Sequence, residues 1–396
     1  MKLALGLVVL AACGDNLATP TAAAELVVVA HQDDDLLFMQ SDLYDVVHGQ
    51  RPIEVVYVTA GDGGNGIDYA NARITSAKFA YGSVAGSQQW TCQWTLITAH
   101  AAQRCTLADR PVTLLFLGYP DGGIGGSAEY SLLHLWQGAV SLAPTVADVE
   151  TTYTREELID TVAAIIDQAK PQTIRTLELA GTHGYDHADH MMVGALTQLA
   201  LARTTSTAEL ISYRGYNIND LPANLTDEDI AQSTLFMRAY DSCMGVCGVC
   251  GVTPCDTIAD GWYDGFLHRK YTVGMQEEAT GVLTSRAGCV GFASTDDATL
   301  VNCAAAPDLA IDEVGLVRTD DQCLEVEADG TLGLGTCDPD PTRYFQLDDE
   351  GHLWSGVVTP GAPMLFDHTS CVYVDSGKVS VGVCGADRDY RWTLRP

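Results

Sequence analysis

The chain has 396 residues, with 21 basic and 52 acidic side chains and a formal net charge of −31. This length is sufficient for two domains with large cores. The strong negative charge argues against nucleic acid or an anionic membrane surface as a partner. Charged residues make up 18% of the chain, below the roughly 25% of an average globular protein, so the composition is not that of a disordered acidic chain.

The N-terminus has one lysine followed by an apolar run over residues 3–12. This run is too short to span a bilayer but matches the core of a signal peptide. The LAAC segment that ends at Cys13 resembles the bacterial lipoprotein box, which implies cleavage before Cys13 and lipidation of its side chain. An ordinary signal peptide, cleaved in the alanine-rich stretch that follows, is the alternative.

We therefore expect a lipoprotein signal peptide over residues 1–13 and a small-residue tether over residues 14–24. The protein would be an exported bacterial lipoprotein of the outer membrane, the periplasm or the cell surface. Its membrane contact would be only through the lipid anchor.

The cysteine content agrees with export. Thirteen cysteines minus Cys13 leave an even number, which in an exported chain indicates disulfides. Cys92 and Cys105 bracket a polar insert, and we expect them to pair. A glycine-rich loop contains four more, for which two local disulfides of undetermined pairing are favoured over a structural zinc site: Cys243, Cys247, Cys250 and Cys255.

Apolar runs alternate with helical patterns along the first part of the chain. We expect strands over residues 26–30, 53–60, 112–118, 174–180 and 210–216. We expect helices over residues 36–47, 69–82, 154–170, 191–202 and 226–240. This alternation predicts an α/β domain over residues 25–275, with a Rossmann-like, mostly parallel sheet and helices on both faces.

The ends of the predicted strands carry polar residues. The first strand is followed by His31 and three aspartates, the second by a glycine loop over residues 61–66, and the third by Asp121. The fourth strand is followed by His183, His187 and His190. Because the carboxyl ends of parallel strands share one edge of a sheet, we expect His31, Asp34, His187 and His190 to meet in space.

This set of side chains suits hydrolysis. Two imidazoles and a carboxylate, with one position left for water, are the ligands of a hydrolytic zinc site. Such a metal polarises a carbonyl and lowers the pKa of its water. A carboxylate that is not a ligand can then accept the proton of the water, and an extra histidine can protonate the leaving amine. The alternative is a pair of helix caps with incidental histidines.

Two segments carry a family resemblance. Residues 30–35, AHQDDD, resemble the AHPDDE signature of the PIG-L/LmbE-like N-acetylglucosaminyl de-N-acetylases, and residues 187–190, HADH, resemble their HPDH signature. The likeness extends over residues 25–275. It implies a metal-dependent hydrolase of linear amides that removes acetyl groups from N-acetylglucosamine-type sugars, with Zn²⁺ or another divalent metal as cofactor.

The resemblance also implies roles for individual residues. The metal would bind to His31, Asp34 and His190. Asp33 would be the general base, and His187, oriented by Asp189, the general acid or oxyanion partner. Arg73 and Asp121 would contact the substrate.

Two positions depart from the family signature. Gln32 stands at a position where the family usually has proline, and we expect it to loosen the turn. Asp35 replaces a glutamate, and we expect the support given by the longer side chain to be shortened or lost. Neither change removes a group that hydrolysis requires.

Residues 276–396 contain three internal repeats, over 281–303, 315–337 and 363–384. Each repeat has two cysteines, which we expect to pair within it: Cys289 with Cys303, Cys323 with Cys337, and Cys371 with Cys384. The segment resembles a ricin-type β-trefoil lectin, although the QxW signature is eroded. Sugar binding is expected in the second repeat, near Asp320 and Trp354. A disulfide-linked structural module is the alternative.

The favoured function is therefore an exported zinc-dependent deacetylase that acts on a glycan or glycoconjugate and is held on that polymer by its C-terminal part. Two alternatives stay open. One is an amidase that acts on another sugar-conjugate amide through the same metal site. The other is a non-catalytic surface lectin.

Overall fold

The computed structural model of the protein describes residues 24–178, 186–219, 221–258, 261–273, 279–292, 297–311, 315–319, 322–337, 341–343, 345–348, 350–355, 370–383 and 390–395. The expected signal peptide, most of the tether and Cys13 lie outside these residues, as do His183, Asp320 and Cys384.

Strands and helices alternate in the first part of the chain. The strands are β1 (Glu25–Val29), β2 (Ile53–Thr59), β3 (Trp90–Ile97), β4 (His100–Leu107), β5 (Val112–Tyr119), β6 (Ala143–Pro144), β7 (Thr152–Tyr153), β8 (Thr173–Leu177), β9 (Glu209–Tyr213) and β10 (Thr272–Val273). The helices are α1 (Asp34–Phe38), α2 (Gln40–His48), α3 (Ile67–Ala85), α4 (Leu132–Trp136), α5 (Arg155–Ala169), α6 (Ala188–Ala202), α7 (Asp227–Cys243) and α8 (Gly261–Leu267).

Eight of these strands form one sheet in the order β10-β9-β8-β1-β2-β5-β4-β3. The five central strands, β9, β8, β1, β2 and β5, are parallel, as the sequence predicts. In the centre, Val27 lies between Val55 on β2 and Arg175 on β8. The outer strands are antiparallel, so the sheet is mixed.

The edge hairpin β3–β4 is the main element that the sequence did not predict. The sequence of this segment predicted only a polar insert. Most of β3 is exposed, so it lacks the alternation of apolar and polar residues that is typical of a half-buried strand. The expected disulfide is present: Cys92 and Cys105 are directly opposite each other on the two strands and are bonded.

Helices cover both faces of the sheet. Alternate residues of β1 point to opposite sides, so that Leu26 and Val28 pack into a core with α4, α5 and α6. Val27 and Val29 pack into a second core with α1, α2, α3, α7 and α8. Burial on both sides explains why the central strands are continuous apolar runs.

Three predicted helices can be compared with the helices of the structure. Helix α5, predicted over residues 154–170, begins after Thr154 with a capping box to Glu157. Helix α6 begins at Ala188, three residues before the predicted start, because His187 serves as its N-cap. The single helix predicted over residues 36–47 is divided at Met39 into α1 and α2.

The last part of the chain is all β. Its strands are β11 (Ala279–Ser285), β12 (Gly288–Phe292), β13 (Ala298–Val301), β14 (Leu309–Ile311), β15 (Val317–Thr319), β16 (Gln322–Val326), β17 (Leu332–Thr336), β18 (Phe345–Leu347), β19 (Leu353–Ser355), β20 (Ser370–Asp375), β21 (Lys378–Val383) and β22 (Trp392–Arg395). They form one curled, trefoil-like antiparallel sheet around an apolar core that includes Trp392.

The three repeats have the same local structure. Each contains an antiparallel hairpin, β12–β13, β16–β17 or β20–β21, whose first strand carries the first cysteine of the repeat. The disulfides Cys289–Cys303 and Cys323–Cys337 are formed as expected. The pairing of Cys371 with Cys384 stays a prediction.

The glycine-rich loop after α7 also contains disulfides. Cys243 is bonded to Cys250, and Cys247 to Cys255. The structure thus gives the pairing that the sequence left open. Among the helices of the described segments, none has both the length and the apolar character that a membrane span requires.

Candidate active site

The turn after β1 brings His31 and Asp34 together. Asp34 accepts a hydrogen bond from the backbone N–H of His31 at 2.6 Å and lies 3.3 Å from Nδ1 of the same residue. Both side chains are buried. The carboxylate is therefore held against the imidazole by the local turn itself.

The start of α6 delivers the second half of the site. Nε2 of His190 lies 2.9 Å from Oδ1 of Asp34, although the two residues are 156 positions apart in the sequence. The ring centroids of His31 and His187 are 4.5 Å apart, and those of His31 and His190 are 5.3 Å apart. The four side chains expected to meet do meet in the structure.

His187 has a defined orientation. Its Nδ1 accepts a hydrogen bond of 3.1 Å from the backbone N–H of Asp189, so a neutral ring carries its proton on Nε2. The carboxylate of Asp189 lies 4.0 Å from Nδ1 of His187 but 3.5 Å from Nε2 of His31. The backbone of Asp189 therefore orients His187, whereas its side chain faces His31 and accepts from the N–H of Gly122 at 2.8 Å.

Asp33, the expected base, does not cap α1 with its side chain. It instead accepts a hydrogen bond from Nη2 of Arg73 on α3. Arg73 thus contacts the expected base directly, a position that the sequence alone did not specify. Gly61 lies beside this pair, and any Cβ there would overlap Gln32 and crowd the Arg73 guanidinium.

Asp121 also faces the cluster. Its Oδ2 lies 3.5 Å from Nε2 of His31, and its Oδ1 accepts from the N–H of Gly123 at 2.8 Å. Asp62 links this segment to the glycine loop, since it accepts from the N–H of Asp121 at 3.1 Å and from the N–H of Gly64 at 3.1 Å. The glycine loop is therefore bonded to the segment that carries Asp121.

The two departures from the family signature have structural consequences. Nε2 of Gln32 donates to the carbonyl of Thr59 at 2.9 Å, which ties the turn to the end of β2. Asp35 accepts hydrogen bonds from Tyr57 at 3.0 Å and Tyr81 at 2.6 Å. Both side chains therefore have partners on neighbouring elements that the sequence does not reveal, and the comparison with the proline and glutamate of the family signature stays a prediction.

Sequence reasoning also missed two residues of the site. Asp186 is fully buried, and its Oδ1 lies 2.9 Å from Nδ1 of His190. Its position four residues before His190 is a sequence signal that could have identified it as a partner of that histidine. Tyr216 packs against His190 with a centroid distance of 4.9 Å. The predicted strand over 210–216 hid it, because β9 ends at Tyr213 and Tyr216 begins a short 3₁₀ turn.

The pKa values of the buried aspartate and histidines of the site depend on one another. Burial would raise the pKa of Asp34, but the charges of His190 and His31 and their hydrogen bonds hold it well below its usual range. Burial would lower the pKa of His190, but Asp34 and Asp186 raise it to about 10. Burial lowers the pKa of His187, and the adjacent His31 and His190 lower it further.

Several atoms are suited to hold a metal ion. The ligand nitrogens of His31, His187 and His190 lie within 4.8 Å of one another, and a second such group consists of His31, Asp121, His187 and Asp189. Within the described residues, Nε2 of both His31 and His190 is buried and makes no well-directed hydrogen bond, although a carboxylate oxygen of Asp34 lies 2.9 Å from the latter and those of Asp121 and Asp189 lie 3.5 Å from the former. Buried imidazole nitrogens beside carboxylates are the donors that Zn²⁺ and related divalent metals prefer, so the residues fit a metal.

Fold and site together define a class, an α/β enzyme domain with a candidate metal centre at the carboxyl ends of its parallel strands. Residues 26–201 match the family PIG-L, described as GlcNAc-PI de-N-acetylase, and form a PIG-L-family domain. The match ends before β9, so the strands β9 and β10 and the helices α7 and α8 lie beyond it. No curated protein sequence matches the chain.

Solved structures share parts of the fold. The β-trefoil lectin of the Vibrio vulnificus hemolysin/cytolysin is 19% identical, with 31% of this chain and 98% of that chain covered and a TM-score of 0.25. The 4-carboxy-2-hydroxymuconate hydratase of Pseudomonas putida is 12% identical over 62% and 83%, with a TM-score of 0.35. The N,N'-diacetylchitobiose deacetylase of Pyrococcus horikoshii is 12% identical over 58% and 74%, with a TM-score of 0.34. Likenesses this low establish no shared activity.

Proposed function

We propose that the protein is a zinc-dependent de-N-acetylase that hydrolyses the acetamide of N-acetylglucosamine-type sugars on a glycan or glycoconjugate. The observation that carries the proposal is the meeting of His31, Asp34 and His190 beside Asp33 and His187. The PIG-L match over residues 26–201 supports the same reaction class.

The proposed metal ligands are His31, Asp34 and His190. When bound, the metal would lower the pKa of a water molecule and polarise the acetamide carbonyl. Asp186 would keep the proton of a neutral His190 on Nδ1, leaving Nε2 free to bind the ion. The remaining groups of the site are then left for proton transfer and charge stabilisation.

Asp33 accepts the proton of the attacking water in this scheme. Arg73 holds Oδ1 of the carboxylate, and no described residue bonds to Oδ2, so this second oxygen would take the proton. Because the Nδ1 atom of His187 accepts a backbone hydrogen bond, its Nε2–H can donate to the oxygen that becomes negative during attack. This orientation favours the oxyanion role of His187, and Asp33 would then return the proton that it accepted to the nitrogen of the leaving amine as the C–N bond breaks.

The proposal is tested by measuring metal content and acetate release together. The purified, disulfide-intact protein is compared with Asp33→Asn, and both are offered N-acetylglucosamine oligomers. The matched control is Asp45→Asn, an exposed aspartate on α2. We expect zinc near one equivalent in all three proteins, with acetate release lost only in Asp33→Asn.

Other outcomes decide between the alternatives. Zinc without acetate release in the native protein would contradict deacetylation and favour an amidase for another sugar-conjugate amide. A protein that neither retains zinc nor releases acetate would favour the non-catalytic lectin. Acetate release by Asp33→Asn at the native rate would remove Asp33 from the role of base.

We further propose that the protein is an exported lipoprotein anchored through Cys13. The five disulfides among the described residues support export, since such bonds persist in oxidising compartments. In cells that express the full chain, Cys13→Ser is expected to move the protein from the membrane fraction to the soluble fraction. A native protein that is already soluble would contradict the anchor.

The C-terminal domain is proposed to hold the enzyme on its polymeric substrate. Trp354 does not serve as an open stacking surface for this purpose, because it is 6% exposed and its Nε1 donates to Asp348 at 2.8 Å. Binding of the full chain to insoluble glycan, competed by soluble oligosaccharide, tests this proposal. Absence of retention would leave the domain as a structural module.

A further inference from the structure

A row of aromatic rings leads from the candidate metal centre to the surface. The ring of Tyr216 lies 4.9 Å from that of His190, and the ring of Trp262 lies 4.9 Å from that of Tyr216. His190 is fully buried, whereas Trp262 is 46% exposed. Buried Phe266 contacts the indole edge-on at 4.8 Å, so the exposed ring rests on a firm support.

The inner member of this row is fixed to the site. The backbone N–H of Tyr216 donates to Asp186 at 3.0 Å, the same carboxylate that contacts His190. Tyr216 therefore lies between the buried carboxylate that orients His190 and the exposed indole of Trp262.

Two other exposed apolar side chains belong to segments that carry site residues. Tyr69 is 37% exposed and precedes Arg73 by one turn of α3. Ile124 is 54% exposed, and its carbonyl accepts a hydrogen bond of 2.9 Å from the N–H of Ala188, next to His187. Exposed apolar residues scattered singly need no explanation, but these three lie on segments that converge on one polar cluster.

A sugar ring matches this combination of surfaces. The faces of a pyranose present C–H groups that pack on an indole, while its hydroxyl groups remain in water or bond to polar neighbours. The ring of Tyr216 contacts both His190 and the indole of Trp262. A sugar whose acetamide lies at the candidate metal centre would therefore have its neighbouring unit on the side of Trp262.

We propose that Trp262 is a binding platform for the sugar unit adjacent to the one whose acetamide is hydrolysed. This inference rests on the proposed function and specifies its substrate: an N-acetylated oligosaccharide or glycoconjugate with at least two pyranose rings, in preference to a monosaccharide. Trp262 acts here as a specificity-determining residue and takes no part in proton transfer.

The kinetic test compares Trp262→Ala with the native protein on N-acetylglucosamine and on its dimer and trimer. We expect KM for the dimer and trimer to rise about ten-fold, as for the loss of one stacked ring, with kcat retained. KM for the monosaccharide should stay within about two-fold of the native value. Trp262→Tyr should restore most of the loss, and the control Leu96→Ala, 71% exposed on β3, should change nothing.

A binding measurement separates this inference from the proposed reaction. The chain has six tryptophans, so incorporation of fluorotryptophan gives a small set of ¹⁹F resonances, and Trp262→Tyr identifies the one from Trp262. Addition of the trimer to the full chain should shift this resonance saturably. Sugar bound only by the C-terminal domain would shift the resonances of other tryptophans instead.

The outcomes are distinct. A saturable shift of the Trp262 resonance in a protein without acetate release would support the platform and contradict the reaction. Acetate release with an unmoved Trp262 resonance and a native KM in Trp262→Ala would overturn the platform alone. An equal rise of KM for the monosaccharide and the trimer would overturn the assignment to the adjacent unit.

Discussion

The Nδ1 atom of His190 lies 2.9 Å from Oδ1 of Asp186, and neither side chain is exposed to solvent. The same carboxylate accepts the backbone N–H groups of His187, at 2.8 Å, and Tyr216, at 3.0 Å. One buried aspartate therefore sets the orientation of a proposed metal ligand and the position of its neighbours. An outer carboxylate of this kind fixes the tautomer of a ligating histidine and increases its basicity.

Replacement of Asp186 should weaken metal binding without unfolding the domain. Asp186→Asn keeps one acceptor oxygen for the backbone but removes the charge, and we expect zinc affinity to fall by about 10- to 100-fold. Competition with a chromophoric chelator measures this affinity in the absence of substrate. Asp160→Asn, an exposed aspartate on α5 that pairs with Arg203, is the matched control and should bind zinc normally.

A second variant addresses the same contact without altering the aspartate. A Cβ at position 215 would overlap the Asp186 carboxylate, so Gly215→Ala should displace it and weaken zinc binding in the same direction. If both variants keep native zinc affinity while circular dichroism shows a native fold, Asp186 does not position His190.

Removal of Arg73 should cost both stability and activity. The guanidinium pairs with Asp33, and the side chains of the two residues are only 12% and 8% exposed. Arg73→Ala leaves a buried carboxylate without its partner, which we expect to destabilise the domain by about 3 kcal/mol. Urea unfolding measures this change, and acetate release should fall with it because the base loses its orientation.

A pair of controls separates charge from geometry. Arg73→Lys keeps the charge but not the planar donor group, and we expect an intermediate loss. Arg51→Ala removes an arginine whose side chain is 49% exposed and paired with Glu25, and it should cost less than about 1 kcal/mol. Equal destabilisation by Arg73→Ala and Arg51→Ala would contradict the buried-pair interpretation.

How much of the structure could be predicted depends on how far apart in the sequence the interacting residues lie. Strands β1, β2 and β5 and helix α5 depend on local apolar runs and local hydrogen bonds, and the sequence predicted them. The meeting of His31 with His190 followed from one topological rule about the edge of a parallel sheet. The edge hairpin β3–β4 was missed because its exposed outer strand lacks an apolar pattern.

Contacts between distant segments account for the rest. Nothing near Asp35 in the sequence indicates that its partners are Tyr57 on β2 and Tyr81 on α3. In the same way, the pairing of Arg73 with Asp33 depends on how α3 packs against the sheet. A motif therefore indicates candidate ligands of such a site, whereas the tertiary structure shows which residues contact them.

The disulfide map gives a direct check of the loop after α7. Proteolysis without reduction, followed by mass spectrometry, should recover Cys243 linked to Cys250 and Cys247 linked to Cys255. Zinc content should therefore be unaffected by thiol-alkylating reagents, since all four thiols are consumed. Recovery of a Cys243–Cys247 pair, or alkylation of all four cysteines in the unreduced protein, would contradict this structure.

The pH dependence of stability should report on Asp42. Burial would raise the pKa of this carboxyl group, but hydrogen bonds from Lys270 and Tyr213 and the charge of Lys270 outweigh it and lower the pKa below its usual value. The Asp42 carboxylate lies 2.5 Å from Nζ of Lys270 and 2.6 Å from the Tyr213 hydroxyl, so it links α2 to β9 and to the segment before β10.

Because the folded protein has the lower pKa, the ionised carboxylate stabilises the fold at any pH above the unfolded pKa of about 3.9. This contribution is lost as the pH falls from about 5 through the folded pKa. Asp42→Asn should therefore lower the free energy of unfolding by about 1.5 kcal/mol at pH 7, and by progressively less as the pH is reduced. Urea unfolding of both proteins between pH 7 and pH 3 measures the difference, and Asp45→Asn on the same helix serves as control. A difference between Asp42→Asn and the native protein that stays constant over this range would show that the carboxylate is not stabilised by Lys270 and Tyr213.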